Sequence, residues 1–203
     1  MQPVNRNLLI KLTLAGIGLC LLLIVGSFFA DPPKIAPSEP EQLYNPGGNF
    51  TLTGTTGKPF HLQDLRGEIV LLFFGYTSCP DACPTTLSKL NRALNLLDTE
   101  EREQVRTVFI SVDPKRDPPK LLKEYVDFFG VNAIGLTGTK AEIDKVVKAY
   151  QAHYLEIPSE TGTWYSINHT TTVYLHDKRS KVRYLFLYEG TPEQLAESIR
   201  KYL

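Results

Sequence analysis

Two nearly continuous apolar runs constrain this chain more than any other feature. Ile69 to Gly75 reads IVLLFFG, and Val105 to Val112 reads VRTVFISV. A strand that alternates polar and apolar residues can keep one face in water, whereas a strand apolar throughout must be covered on both faces. Runs of this length predict inner strands of a sheet with helices packed on either side. Between them Leu87, Leu90, Leu94 and Leu97 recur at helical spacing, so Thr85–Leu97 reads as an amphipathic helix.

The remaining segments extend the pattern. FTLTG, a turn at Gly57-Lys58 and PFHL predict a small hairpin within Asn49–Leu62. Pro118–Phe129 reads as a helix opened by prolines and stopped by Gly130, Ala133–Leu136 as a short strand, and Lys140–Tyr150 as another helix. Thr170–Leu175 and Val182–Tyr188 are β-rich runs around a polar turn, which predicts an antiparallel hairpin. Thr191, Pro192 and Gln194 supply an N-cap, a first-position proline and a capping box for a last helix. Parallel β-α-β units followed by a hairpin and a closing helix are the plan of the thioredoxin fold. The expected class is thus α/β, a central mixed sheet flanked by helices.

That domain occupies residues 49–203, and the rest of the chain is of another kind. Leu12 to Ala30 contains 19 residues without a charge, enough for a helix of about 28 Å, close to the hydrocarbon thickness of a bilayer. Arg6 and Lys11 precede it and Asp31 follows, which puts residues 1–11 in the cytoplasm and the domain across the membrane. Phe28 and Phe29 stand where a signal peptide would carry small residues, so the run reads as an uncleaved transmembrane anchor. Residues 31–48 hold five of the 14 prolines and read as an extended tether. The N-terminus lacks an Arg- and Ser-rich transit peptide, which favours a bacterial inner membrane with the domain on the periplasmic side.

The chain carries 22 basic and 22 acidic residues, and without a basic surplus a nucleic-acid partner is not expected. Three cysteines are too few for a small disulfide scaffold. Cys20 falls in the anchor. Cys79 and Cys83 form C-x-x-x-C just past the end of a buried strand and at the start of a helix, where ligand and active sites of open α/β sheets gather. Unpaired N–H groups at a helix start favour thiolate, the form that attacks disulfides and binds metals. Three uses are open for the pair: a metal site, thiol–disulfide exchange with Cys79 and Cys83 as catalytic thiols, or a structural staple. A metal needs more ligands. His61 and His176 read as surface residues and His153 as packing, whereas His169, just before a strand expected to face the thiols, is the candidate third ligand. Two thiolates and an imidazole suit copper as Cu(I) or Cu(II).

GYTSCPDACPTT, SVDPKRDPPKLLKEY and INHTTTVYL, in that order, resemble the signature blocks of the Sco/SenC family over roughly Gly48–Leu203. The resemblance implies a membrane-tethered, thioredoxin-like copper protein that helps assemble the Cu(A) centre of cytochrome c oxidase. Its partner would be the Cu(A)-bearing subunit or another copper chaperone, and its action copper delivery, reduction of the recipient's cysteines, or both. By the same resemblance Cys79, Cys83 and His169 match the family's copper ligands, and Asp113 matches an acidic position near the site. Ser78 and Asn168 depart from the pattern, since many relatives have His before the first cysteine and Asp before the ligand histidine. Two other readings stand beside this one. The first is an oxidoreductase in which copper is incidental. The second is a peroxidase, suggested by Cys83-Pro84-Thr85 but opposed by Pro80, where such enzymes have Thr.

Overall fold

The computed structural model describes residues 46–203. The short N-terminus, the anchor expected over 12–30 and all but the last three residues of the tether lie outside that range. Among the described residues no helix is long and apolar enough to cross a membrane.

The strands are β1 (Thr51–Gly54), β2 (Pro59–His61), β3 (Ile69–Gly75), β4 (Val105–Ser111), β5 (Ala133–Thr137), β6 (Tyr154–Pro158), β7 (Tyr165–His169), β8 (Val173–His176) and β9 (Val182–Phe186). The helices are α1 (Ala82–Asn95), α2 (Thr99–Glu103), α3 (Pro119–Phe128), α4 (Lys140–Ala149) and α5 (Pro192–Tyr202). Seven strands form one mixed sheet in the order β2-β1-β5-β4-β3-β8-β9, and β6 and β7 pair separately.

The two apolar runs sit where their composition requires. In β3 every residue is buried, and β4 lies beside it in parallel with Phe73 opposite Phe109 and Gly75 opposite Ser111. Strand β5 extends the parallel part and β8 pairs antiparallel with β3. Helix α1 turns Cys83, Leu87, Leu90 and Leu94 inward, and α5 adds Leu195 and Ile199 to the core. Thr191 caps α5 with the reciprocal bonds that its sequence announces.

Several boundaries differ from expectation. Helix α1 begins at Ala82, so Cys83 is helical and Cys79 precedes the helix in a turn closed by Cys79 N–H donating to the Tyr76 carbonyl. The sequence before Thr170 announces no element, yet it forms the β6–β7 hairpin. Residues 155–158 of β6 are exposed, so no apolar alternation marks the strand. His169 therefore ends a hairpin strand, and β8 starts only at Val173.

His176 corrects another expectation. It is fully buried on β8, where its Nε2 meets the Tyr150 hydroxyl at 3.2 Å and its Nδ1 faces the Ser180 carbonyl. The polar turn starts one residue later than the sequence suggests, with Asp177 accepting from the N–H groups of Arg179 and Lys181. Burial disfavours the imidazolium and lowers the His176 pKa to about 4 from 6.5. Between those values the unfolded chain binds a proton that the folded one refuses, so stability is present above pH 6.5 and falls as pH drops toward 4. Urea unfolding as a function of pH should show wild type losing about 3 kcal/mol more than His176→Gln between pH 7 and pH 4.

Candidate metal centre

The C-terminal ends of β3 and β4 carry the loops that build the site. After Gly75 the chain runs through Tyr76 and Thr77 to Cys79 and enters α1 at Ala82, which places Cys83 in its first turn. After Ser111 it turns through Asp113 and Asp117 into α3. The carboxylate of Asp117, fully buried, accepts from the Thr77 N–H at 3.0 Å, the Thr77 hydroxyl at 2.6 Å and the Ser111 hydroxyl at 2.6 Å. The cysteine loop is thereby held to the end of β4.

Gly75 explains how Cys83 reaches this position. A Cβ built on Gly75 would lie 2.7 Å from Cys83 Sγ and 2.8 Å from the Phe109 ring. The missing side chain is the space that the thiol occupies.

His169 arrives from the other side. It is 7% exposed, with its ring edge-on to Phe73 and Tyr76 at centroid separations of 6.0 and 5.7 Å. Its Nδ1 lies 3.0 Å from the Thr170 carbonyl, an acceptor only, so Nδ1 carries the proton and Nε2 offers its lone pair. Nε2 stands 3.4 Å from Cys83 Sγ and 3.9 Å from Cys79 Sγ. The three ligand atoms lie within 4.8 Å of one another. Metal–sulfur bonds near 2.3 Å and metal–nitrogen bonds near 2.0 Å put trigonal ligands about 3.7–4.0 Å apart. The two nitrogen–sulfur edges, 3.4 and 3.9 Å, bracket the nitrogen–sulfur spacing of such a site, and the donor set is soft.

The thiols are free and unequal. Cys79 is half-buried. The Cys83 thiol donates to it, and the backbone N–H groups of Cys83 and Asp81 donate to its sulfur. These bonds, that from Cys83 foremost, hold Cys79 well below the usual thiol range despite partial burial. Cys83 goes the opposite way, because burial and its bond to the anionic Cys79 both penalise a second charge. One thiolate and one thiol share the site. Asp81 acts on Cys79 through its N–H, and its carboxylate bonds the Thr85 hydroxyl at 3.2 Å.

Of the residues singled out in the sequence, Cys79, Cys83 and His169 come together. His61 bonds Thr51 on the first hairpin, His153 bonds Thr170, and neither belongs to the triangle. Asp113 is 2% exposed and tied to Arg116 and Tyr165. Asp117 escaped notice in the sequence. Its spacing of four from Asp113, on a turn that follows a buried strand, was the available signal.

The SCO1/SenC family model matches residues 38–203. The protein SenC of Rhodobacter capsulatus is 41% identical over 160 residues, covering 77% of this chain and 70% of its own. The structure of Bradyrhizobium japonicum ScoI with copper bound has a TM-score of 0.70 at 38% identity, covering 77% of this chain and 99% of that one. Yeast Sco1 with copper bound has a TM-score of 0.70 at 31% identity, covering 78% of this chain and 88% of that one.

Two measurements check this geometry. Iodoacetamide should label Cys79 selectively, at a rate nearly independent of pH between 5 and 8, while Cys83 stays unlabelled in the folded protein. Gly75→Ala should force Cys83 Sγ and the Phe109 ring apart and cost about 1–3 kcal/mol in urea unfolding.

Proposed function

The chain belongs to the SCO1/SenC family, and we propose that it is a membrane-anchored copper metallochaperone that assists assembly of the Cu(A) centre of cytochrome c oxidase. The observation that carries this reading is the meeting of Cys79, Cys83 and His169 at ligand spacing. The copper-bound ScoI and Sco1 structures support it through shared fold and sequence. Copper is cargo here: two thiolates favour Cu(I), and the imidazole of His169 steadies Cu(II). Cys79 is already the thiolate that captures an ion, and Cys83 gives up its proton as the metal binds. The recipient is the Cu(A)-bearing subunit, and the donor another copper chaperone. The 12–30 run anchors the domain in a bacterial inner membrane, with residues 31–48 as tether and the site on the periplasmic side.

The unequal thiols favour a second activity on the same recipient. The Cys79 thiolate attacks one sulfur of a disulfide in the recipient and releases the other as a thiolate. Cys83, deprotonated in turn, attacks Cys79 in that mixed disulfide. The recipient leaves with two reduced sulfurs, and this chain keeps the Cys79–Cys83 disulfide.

Copper titration of the reduced full chain tests the proposal. Wild type should bind one copper, and Cys79→Ser or Cys83→Ser should weaken Cu(I) by more than the roughly 100-fold that loss of an outer hydrogen-bond partner costs. His169→Ala should lose Cu(II) while keeping Cu(I). One tightly held copper in Cys83→Ser/His169→Ala would overturn the ligand assignment.

A further inference from the structure

The histidine of the triangle rides on an element weakly joined to the domain. Strands β6 and β7 pair only with each other, and in β7 only Ile167 and His169 are buried. The gap between imidazole and sulfurs therefore depends on what fixes this hairpin. At its root Tyr154, opposite His169, is bonded to Asp144 and Lys140 of α4, while the bonds along β7 from Tyr165 to Ile167 lead to one turn, Asp113 to Asp117. The Tyr165 hydroxyl donates to Asp113 Oδ1 at 2.8 Å. Arg116 is ion-paired with Asp113 through Nε, donates from Nη1 to the Tyr165 carbonyl at 2.8 Å, and lies over the Tyr165 ring at 3.8 Å. Arg116 also faces the ring of Tyr76, whose hydroxyl accepts from the Ile167 N–H at 3.2 Å.

The opposite end of that turn holds the sulfurs. Asp117 takes both donors of Thr77, two residues before Cys79, and the Ser111 hydroxyl. Asp113 and Asp117 are joined within one turn, because the Asp117 N–H donates to the Asp113 carbonyl at 3.0 Å. A single short segment thus grips both halves of the site.

We propose that the turn from Asp113 to Asp117 is a positioning bracket that sets the distance between His169 and the two sulfurs. Asp113 and Arg116 hold the histidine hairpin, and Asp117 holds the cysteine loop. None of the three touches the triangle; each acts through the segment it pins. The bracket gives the two halves separate controls. Releasing the Asp113 side frees the nitrogen ligand and leaves the thiols in place, whereas releasing the Asp117 side disturbs the thiols. The role in metal binding rests on the copper reading above, while the grip on the hairpin can be read without metal.

The experiment uses the full chain in detergent with Asp113→Asn/Tyr165→Phe, Tyr165→Phe alone and Asp117→Asn. In metal-free protein the Asp113→Asn/Tyr165→Phe variant should exchange its amide hydrogens across 154–169 roughly tenfold faster than wild type, with little change elsewhere in the domain. Loaded with copper, it should lose roughly 10–100-fold in Cu(II) affinity and the nitrogen hyperfine signal in electron paramagnetic resonance, with Cu(I) affinity nearly unchanged. Asp117→Asn should weaken Cu(I) and Cu(II) together. Tyr165→Phe, which keeps the ring under Arg116, should show the first pattern in milder form and serves if the double variant does not fold. Wild-type exchange and wild-type Cu(II) affinity in folded variants would overturn the bracket. So would a parallel loss of Cu(I) and Cu(II) affinity that merely tracks melting temperature in the Asp113→Asn/Tyr165→Phe protein. A wild-type chain without nitrogen-ligated Cu(II) would sink the copper reading instead, and the exchange data would still decide whether the hairpin is gripped.

Discussion

The arrangement depends on a single packing constraint, the seating of a fully buried thiol against a strand residue that has no side chain. Cys83 reaches the sheet only because Gly75 leaves the room, and the same spot is closed on its far side by Phe109. Interiors packed to crystal density do not leave such room by accident. Once the Cys83 sulfur is lodged there, α1 must begin at the end of β3, and its first free N–H groups face Cys79. The unequal protonation of the two thiols then follows from their surroundings: one sulfur is walled in by apolar groups, while the other is fed by donors. Fold and chemistry are set by the same contact.

What could be read from the sequence divides along physical lines. Strands β3 and β4 were legible because burial on both faces writes itself into consecutive residues, and α5 because its cap is local. Cys79 and Cys83 were legible as a pair for the same reason, being four residues apart. His169 is 86 residues beyond Cys83, and its place beside the sulfurs came from the expected topology and the family resemblance. The hairpin that carries it was not legible, since the residues of β6 after Tyr154 face solvent and show no period. Asp117 was missed because its partner Thr77 lies 40 residues away and a buried carboxylate looks in sequence like any other. His176 was misplaced for a related reason. A histidine beside Asp-Lys-Arg-Ser has the composition of a turn, and only the register of β8 against β3, with Val70 opposite His176, turns it inward.

Charge placement follows a similar economy. Asp117 is a carboxylate without exposure, a situation that costs several kcal/mol unless hydrogen bonds replace the lost water. Thr77 and Ser111 supply three such bonds, and their own polar groups are satisfied in return. Asp113 solves the same problem with a cation and a phenol. Two buried acids one turn apart thus avoid needing a common counter-charge, which lets each be tied to a different part of the site.

The unequal exposure of the sulfurs has a kinetic meaning. Cys83 and the His169 ring are buried against β3 and Tyr76, whereas Cys79 keeps part of its surface in solvent. On the copper reading proposed above, an incoming donor atom would meet that flank first, and a bond to Cys79 would be the first to be exchanged. Capture and release would then run through one doorway in opposite order, with the half-buried cysteine the gatekeeper of traffic and the buried one its last point of hold.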